Sequence, residues 1–326
     1  MNTLVIGVAA LMAIALPCSA QSTETIRIWG NDQMATLLGY WEAAFRQTRP
    51  DVRFEDKLFG PASAMAGIYT EVADLSVMGH ELQTDESMGF EWVHQYKALG
   101  IEVATAGLQK HSNGAALVIF VHRDNPIRQL SLAQLDAIFG SEHKRATQNI
   151  RTWGDLGLAG DWKDRPIHAY GYASGTEGGA FFRRRVLENS YKWNCDLKEF
   201  DNAQGDDGKL VDAGPRIVAA LEADRFGIAF SKMMYANASV KAVALREFDS
   251  GPYFEPTPEN VATRAYPLTR TVMVYLNRQP DKPIRPRLQQ FLEYVLSREG
   301  QRQATRDGGY FPLSADIADA QLEKLK

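Results

Sequence analysis

Apolar residues in this chain switch repeatedly between short runs and helical stripes. "IRIWG" is a β-prone run, and in "NDQMATLLGYWEAAF" Met34, Leu37, Leu38, Trp41 and Phe45 recur at helical spacing, with Asn31 or Asp32 able to cap the start. "DVRFEDKLFG" predicts a second strand, "PASAMAGIYTEV" a helix with Ser63 near its start, and "ADLSVMG" a third strand. The alternation resumes with the strand "GAALVIFVHR" (114–123), the helix "SLAQLDAIFG" between Ser131 and Gly140, and the strand "PIHAYGY". A helix from about Pro215, a strand over Gly227–Ser231, the strand "TRTVMVYLN" and one long amphipathic helix, "RPRLQQFLEYVLSREGQRQATRDGG", follow. Strands alternating with helices predict an α/β fold of mostly parallel sheets flanked by helices.

Three strands run into small, hydroxyl-bearing turns ahead of a helix: Gly30-Asn31-Asp32-Gln33, Gly60-Pro61-Ala62-Ser63 and Ala173-Ser174-Gly175-Thr176. Each turn alone is an ordinary helix cap. Together they suit an anion, because ligands of open α/β sheets bind beyond the carboxyl ends of the strands. Helix N-termini there offer unpaired N–H groups and partial positive charge. Ser63, Ser174 and Thr176 each carry a hydroxyl donor, and Gly175 permits close backbone approach. Spacing leaves the cap and the cradle both open.

Composition narrows the class. The first twenty of the 326 residues carry no charged side chain and end in small residues, as a secretory signal cut after Ala20 would. The remainder is long enough for two domains. A net charge of −4 without a basic patch speaks against nucleic acid. After cleavage Cys195 is the sole cysteine, so no intrachain disulfide is expected. No later stretch reaches membrane-spanning length.

Ordered segments from about Thr25 to Ser314 resemble the phosphate-binding proteins of bacterial ABC phosphate importers, within the periplasmic-binding-protein superfamily (type II). They include "IWGNDQMATLLGYWEAAF", "ADLSVMGHELQTDE", "NPIRQLSLAQLDAIFGSE", "YASGTEGGAFF", "YPLTRTVMVYLN" and "LSREGQRQATRDGGYFPLS". The resemblance implies two α/β lobes joined by two hinge crossovers that clamp a ligand. On it, residues 21–108 and 262–326 form the first lobe, 109–245 the second and 246–261 a connection, the chain leaving the first lobe near Gln109. It assigns Asn31, Asp32 and Gln33 to the first-lobe turn, Ser63 as a further donor, and Ser174, Gly175 and Thr176 to the second-lobe cradle.

Two positions depart from the family. Tyr170 stands where many phosphate binders carry an arginine, and Gly79, followed by His80, stands where an aspartate accepts the ligand's proton. His80, Tyr170, Tyr172 and Asp32 are the candidates to compensate, whereas Arg183, Arg184 and Arg185 read as solvated faces and lobe contacts. The implied function is an exported solute-binding protein, expected as a monomer, that captures inorganic phosphate or a similar anion for an inner-membrane ABC permease, with no metal or organic cofactor. Rival readings are another anion in the same clamp (sulfate or a small organic acid) and a sensor or scavenger. An exported hydrolase with Ser174 and His80 is less well supported, because the chain has no Gly-x-Ser-x-Gly elbow and no zinc-ligand spacing among its histidines.

Overall fold

The structure, a computed structural model, describes residues 24–108, 115–145, 148–206, 210–248 and 250–326. The expected signal segment and the expected exit near Gln109 lie outside the described residues. The first lobe is built by β1 (Glu24–Gly30), α1 (Ala35–Thr48), β2 (Val52–Lys57), α2 (Pro61–Tyr69), β3 (Leu75–Val77), α3 (Thr84–His94) and β4 (Leu99–Ala106). The second lobe begins with β5 (Leu117–His122), β6 (Gln129–Ser131), α4 (Leu132–Phe139), β7 (His168–Tyr172) and α5 (Glu177–Arg185). It continues through β8 (Lys198–Phe200), β9 (Ala203–Gln204), β10 (Leu210–Val211), α6 (Gly214–Glu222) and β11 (Gly227–Lys232). It ends with β12 (Val240–Ala242), β13 (Ala244–Arg246) and α7 (Pro258–Ala262). The chain then returns as β14 (Thr271–Leu276), α8 (Pro286–Leu296), α9 (Arg298–Asp307), β15 (Tyr310–Phe311) and α10 (Ala315–Glu323).

Each lobe has its own sheet, ordered β15-β4-β14-β3-β1-β2 in the first and β12-β5-β11-β7-β8 in the second. The two-lobed α/β architecture is as expected, but the sheets are mixed rather than mostly parallel. β1 is parallel to β2 and β3, and β7 to β8 and β11, while β14 is antiparallel to β3 and β4, and β5 to β11. The crossovers cause this. β14 and β5 enter their lobes from the junction, so they run against strands that point toward it.

The crossovers lie side by side. Ala106 N–H donates to Arg270 O at 3.0 Å, and Leu117 N–H to Leu268 O at 3.2 Å. Arg264 reaches back across them to Glu102 and to Thr105 Oγ1. The connection expected from the resemblance is 246–261. In the structure Val261, Tyr266 and Leu268 pack in the second lobe's core, and the first sheet resumes at Thr271.

The apolar stripe of α1 buries Leu37, Leu38, Trp41 and Phe45 against the first lobe's sheet and α8. The long C-terminal helix expected from periodicity is two helices. Ser297 takes an extended conformation (φ −68°, ψ 161°) and its Oγ accepts from Gly300 N–H, capping α9. Trp41 Nε1 donates to Gly300 O at 2.8 Å, which fixes the break against α1.

Buried among these elements, Glu42 on α1 faces Asp56 on β2. Burial first, then the charge of Asp56 and a hydrogen bond with it, push the Glu42 carboxyl up to about 8. A carboxyl raised on folding favours the native state fully below its unfolded value and loses that contribution as pH climbs through the folded value. Stability is therefore expected to fall between about pH 4.5 and pH 8. Glu42→Gln should flatten this slope and melt at least as high as the parent at pH 8.5, by several degrees if the term exceeds about 1 kcal/mol. Identical pH–melting curves for the two proteins would contradict the assignment.

Candidate functional site

Between the lobes, at the carboxyl ends of β1, β7 and β11, lies a polar cleft of about 230 Å³. Gln33 lines it from the first lobe; Tyr172, Glu177, Asp212, Lys232 and Tyr235 line it from the second, and Arg270 from the returning crossover. The turn after β7 sets the second-lobe wall. Thr176 is the N-cap of α5: its Oγ accepts from Gly179 N–H at 3.0 Å and donates to Ala173 O at 2.7 Å. A Cβ on Gly179 would fall 2.1 Å from Ala173 O, so the turn closes this tightly only over glycine. Glu177 and Gly178, the first turn of α5, are thereby brought to the cleft.

Charge is paired throughout the site. Arg270, 2% exposed, donates to Glu177 Oε1, and His80 Nδ1 lies 3.5 Å from the same oxygen. His80 Nε2 meets the Glu86 carboxylate at 3.1 and 3.3 Å. Burial works to raise the Glu177 pKa, but Arg270, His80 and Lys232 together outweigh it and draw the carboxyl down to about 2. Lys232 pairs with Asp212 Oδ2, while Oδ1 accepts from the Tyr172 hydroxyl and Gly214 N–H, each at 2.7 Å. Burial opposes ionisation of Asp212, yet Lys232 and these hydrogen bonds keep it below the usual carboxylate range. Buried polar atoms remain open beside the pairs: among the described residues Arg270 Nε, His80 Nδ1 and the Tyr310 hydroxyl have no hydrogen-bond partner.

The residues expected from sequence are only partly brought together. Gln33 lines the cleft, and His80 reaches its inner edge through Glu177. Asn31 is buried bracing, accepting from Gln33 N–H and donating to Met78 O, while Asp32 is exposed. Gly79 supplies the left-handed turn (φ +78°) that passes within 3.3 Å of the Asn31 amide for any added Cβ. Ser63 donates to Gly60 O at 2.8 Å, a local cap contact. Ser174 and Gly175 are exposed, and Ser174 N–H donates to Glu199. His80 thus meets Glu86 and Glu177, not Ser174.

Tyr170 points its hydroxyl to Asp224 at 2.8 Å, beside His168. It sits one strand repeat too deep, and Tyr172, two residues nearer the carboxyl end of β7, is the cleft tyrosine. Of the arginine run, Arg183 bonds Asn189 and Arg185 bonds Pro267 O and Glu247. Arg184 instead keeps Nε and Nη1 buried without hydrogen-bond partners among the described residues, near Arg270, Glu81 and Glu86.

Sequence reasoning missed Arg270, Lys232, Glu177 and Asp212. The available signal was position: Lys232 follows the apolar "GIAFS", and Arg270 precedes "TVMVYL", so both stand at the junction end of a buried strand. Among the described residues no group of three or more His, Cys, Asp or Glu converges to hold a metal. With its hydroxyl committed to the cap, Thr176→Ala should cost about 1 kcal/mol of stability in denaturant unfolding. An unchanged midpoint would show that the cap contributes nothing.

A family model described as a PBP superfamily domain matches residues 18–299. The phosphate-binding protein PstS of Pseudomonas aeruginosa is 33% identical over 302 residues, spanning 91% of this chain and 85% of that protein. Among solved structures, PstS from Borrelia burgdorferi aligns with a TM-score of 0.58 at 15% identity, over 89% of this chain and 99% of that one. A putative phosphate ABC transporter substrate-binding protein with bound phosphate from Clostridium perfringens aligns at 0.53 and 18% identity, over 89% and 100%. These two likenesses concern the fold. The fold and the sequence match together place the chain in the PBP superfamily, among the phosphate-binding PstS proteins.

Proposed function

We propose that this protein is an exported solute-binding protein that captures inorganic phosphate between its lobes and delivers it to an ABC importer. The observation that carries the reading is the polar inter-lobe cleft with Arg270 at its hinge side and Lys232 on its second-lobe wall. The match to a protein named for phosphate binding supplies the ligand class. Two cations on different elements suit an anion with several oxygens, since a guanidinium and an ammonium can each take one or two of them. The first turn of α5 adds the positive end of a helix, and Tyr235 and Gln33 add side-chain donors.

The lobes of this reading are 24–108 with 269–326, and 115–268, hinged where the crossovers run side by side. Closure brings Gln33 and His80 toward Lys232 and Tyr172. Export rests on the uncharged leader, and no described helix is long and apolar enough to cross a membrane. The protein acts as a monomer and without a cofactor.

Calorimetry with phosphate tests the site. Arg270→Gln and Lys232→Gln should each weaken phosphate binding by about 30-fold or more, because each leaves a carboxylate facing the ligand with its partner gone. Circular dichroism confirms that the variants are folded. Folded variants that retain parental affinity would remove these cations from the site.

A further inference from the structure

Glu177 is the first residue of α5, where a carboxylate suits the helix terminus. Its surroundings go well beyond that local role. The carboxylate belongs to the second lobe, yet its Oε1 is held by Arg270 of the returning crossover and lies 3.5 Å from His80 of the first lobe. Both partners are 2% exposed, and each keeps a buried nitrogen, Arg270 Nε and His80 Nδ1, without a hydrogen-bond partner among the described residues. The Tyr310 hydroxyl, also buried and without a hydrogen-bond partner among the described residues, stands within the field of Glu177. Polar groups from three separate parts of the chain thus surround one side-chain carboxylate, and Arg270 keeps donor capacity to spare.

Asp212 offers the contrast. Its two oxygens are filled by Lys232, the Tyr172 hydroxyl and Gly214 N–H, all from its own lobe, so it reads as wall structure. Glu177 is different because the groups that hold it are those an oxyanion would need. Resting on the reading of this cleft as the anion site, we propose that Glu177 is the clamp's resident anion: its carboxylate fills the seat at Arg270 and His80, and an incoming oxyanion binds by displacing it.

A tethered competitor acts at an effective concentration in the millimolar range, so the free ligand must outbind it on Arg270. A monodentate anion gains little by the exchange. An oxyanion that spans Arg270 and Lys232 gains a second charge-assisted contact. Glu177 therefore sets affinity low and favours ligands with several anionic oxygens.

The test uses the mature full-length protein, Glu177→Ala and Glu177→Gln, with acetate and inorganic phosphate as probes. In Glu177→Ala the seat is empty, so acetate should re-occupy it and raise the melting temperature by several degrees, while leaving the parent unmoved. Phosphate should bind both variants about tenfold more tightly than the parent by calorimetry, the worth of one displaced charged hydrogen bond. Glu177→Gln, of nearly the parental shape, carries the phosphate arm if the alanine variant folds poorly. An acetate-treated Glu177→Ala that melts no higher overturns the proposal, as does phosphate affinity that is unchanged or weakened in the folded variants. Acetate rescue without phosphate binding in any form would sustain the resident anion and remove the phosphate reading instead.

Discussion

A guanidinium shut away from water needs an opposite charge, and here that requirement joins the lobes. Arg270 is 2% exposed and stands on the crossover that carries the chain back into the first sheet. Its backbone oxygen accepts from Ala106 on the outgoing crossover, and its side chain meets Glu177 on the second lobe. Breaking such a pair from one side typically costs several kcal/mol, since the remaining charge is left buried. The hinge, the placement of α5 and the electrostatics of the cleft therefore depend on one ion pair.

The local geometry around that pair follows from backbone requirements. Thr176 and Gly179 shape the turn that presents Glu177, and Gly79 shapes the one that presents His80. The hydroxyls of Ser63 and Thr176 serve their own turns, and charged side chains behind them face the cleft. In the proposed reading the anion seat is thus formed by side-chain cations, with helix termini in support.

Much of the fold was legible because burial leaves a local mark. The stripe Leu37, Leu38, Trp41, Phe45 and the run in β5 report which face is apolar without reference to the rest of the chain. The break at Ser297 left no such mark, because the apolar period continues across it and only the Ser297 cap and the Trp41 contact enforce it. The antiparallel members of each sheet were hidden for a similar reason: a strand's direction depends on which lobe the chain comes from. The site was less legible still. Gln33 and His80 follow strand ends closely and could be named, but Glu177 and Arg270 are 93 positions apart. A charged residue beside a strand reads as a solvated end until the fold supplies its partner. Tyr170 shows the cost of a small offset, since one strand repeat separates a tyrosine bonded to Asp224 from the one that lines the cleft.

The measurement that tests the central claim most directly is a crystal structure of the protein grown with phosphate. The account predicts a phosphate in the inter-lobe cleft, within hydrogen-bond distance of Arg270 and Lys232, with the Glu177 carboxylate turned away from Arg270. A phosphate seated instead on the Ser174–Thr176 turn, with the Arg270–Glu177 pair intact, would contradict it.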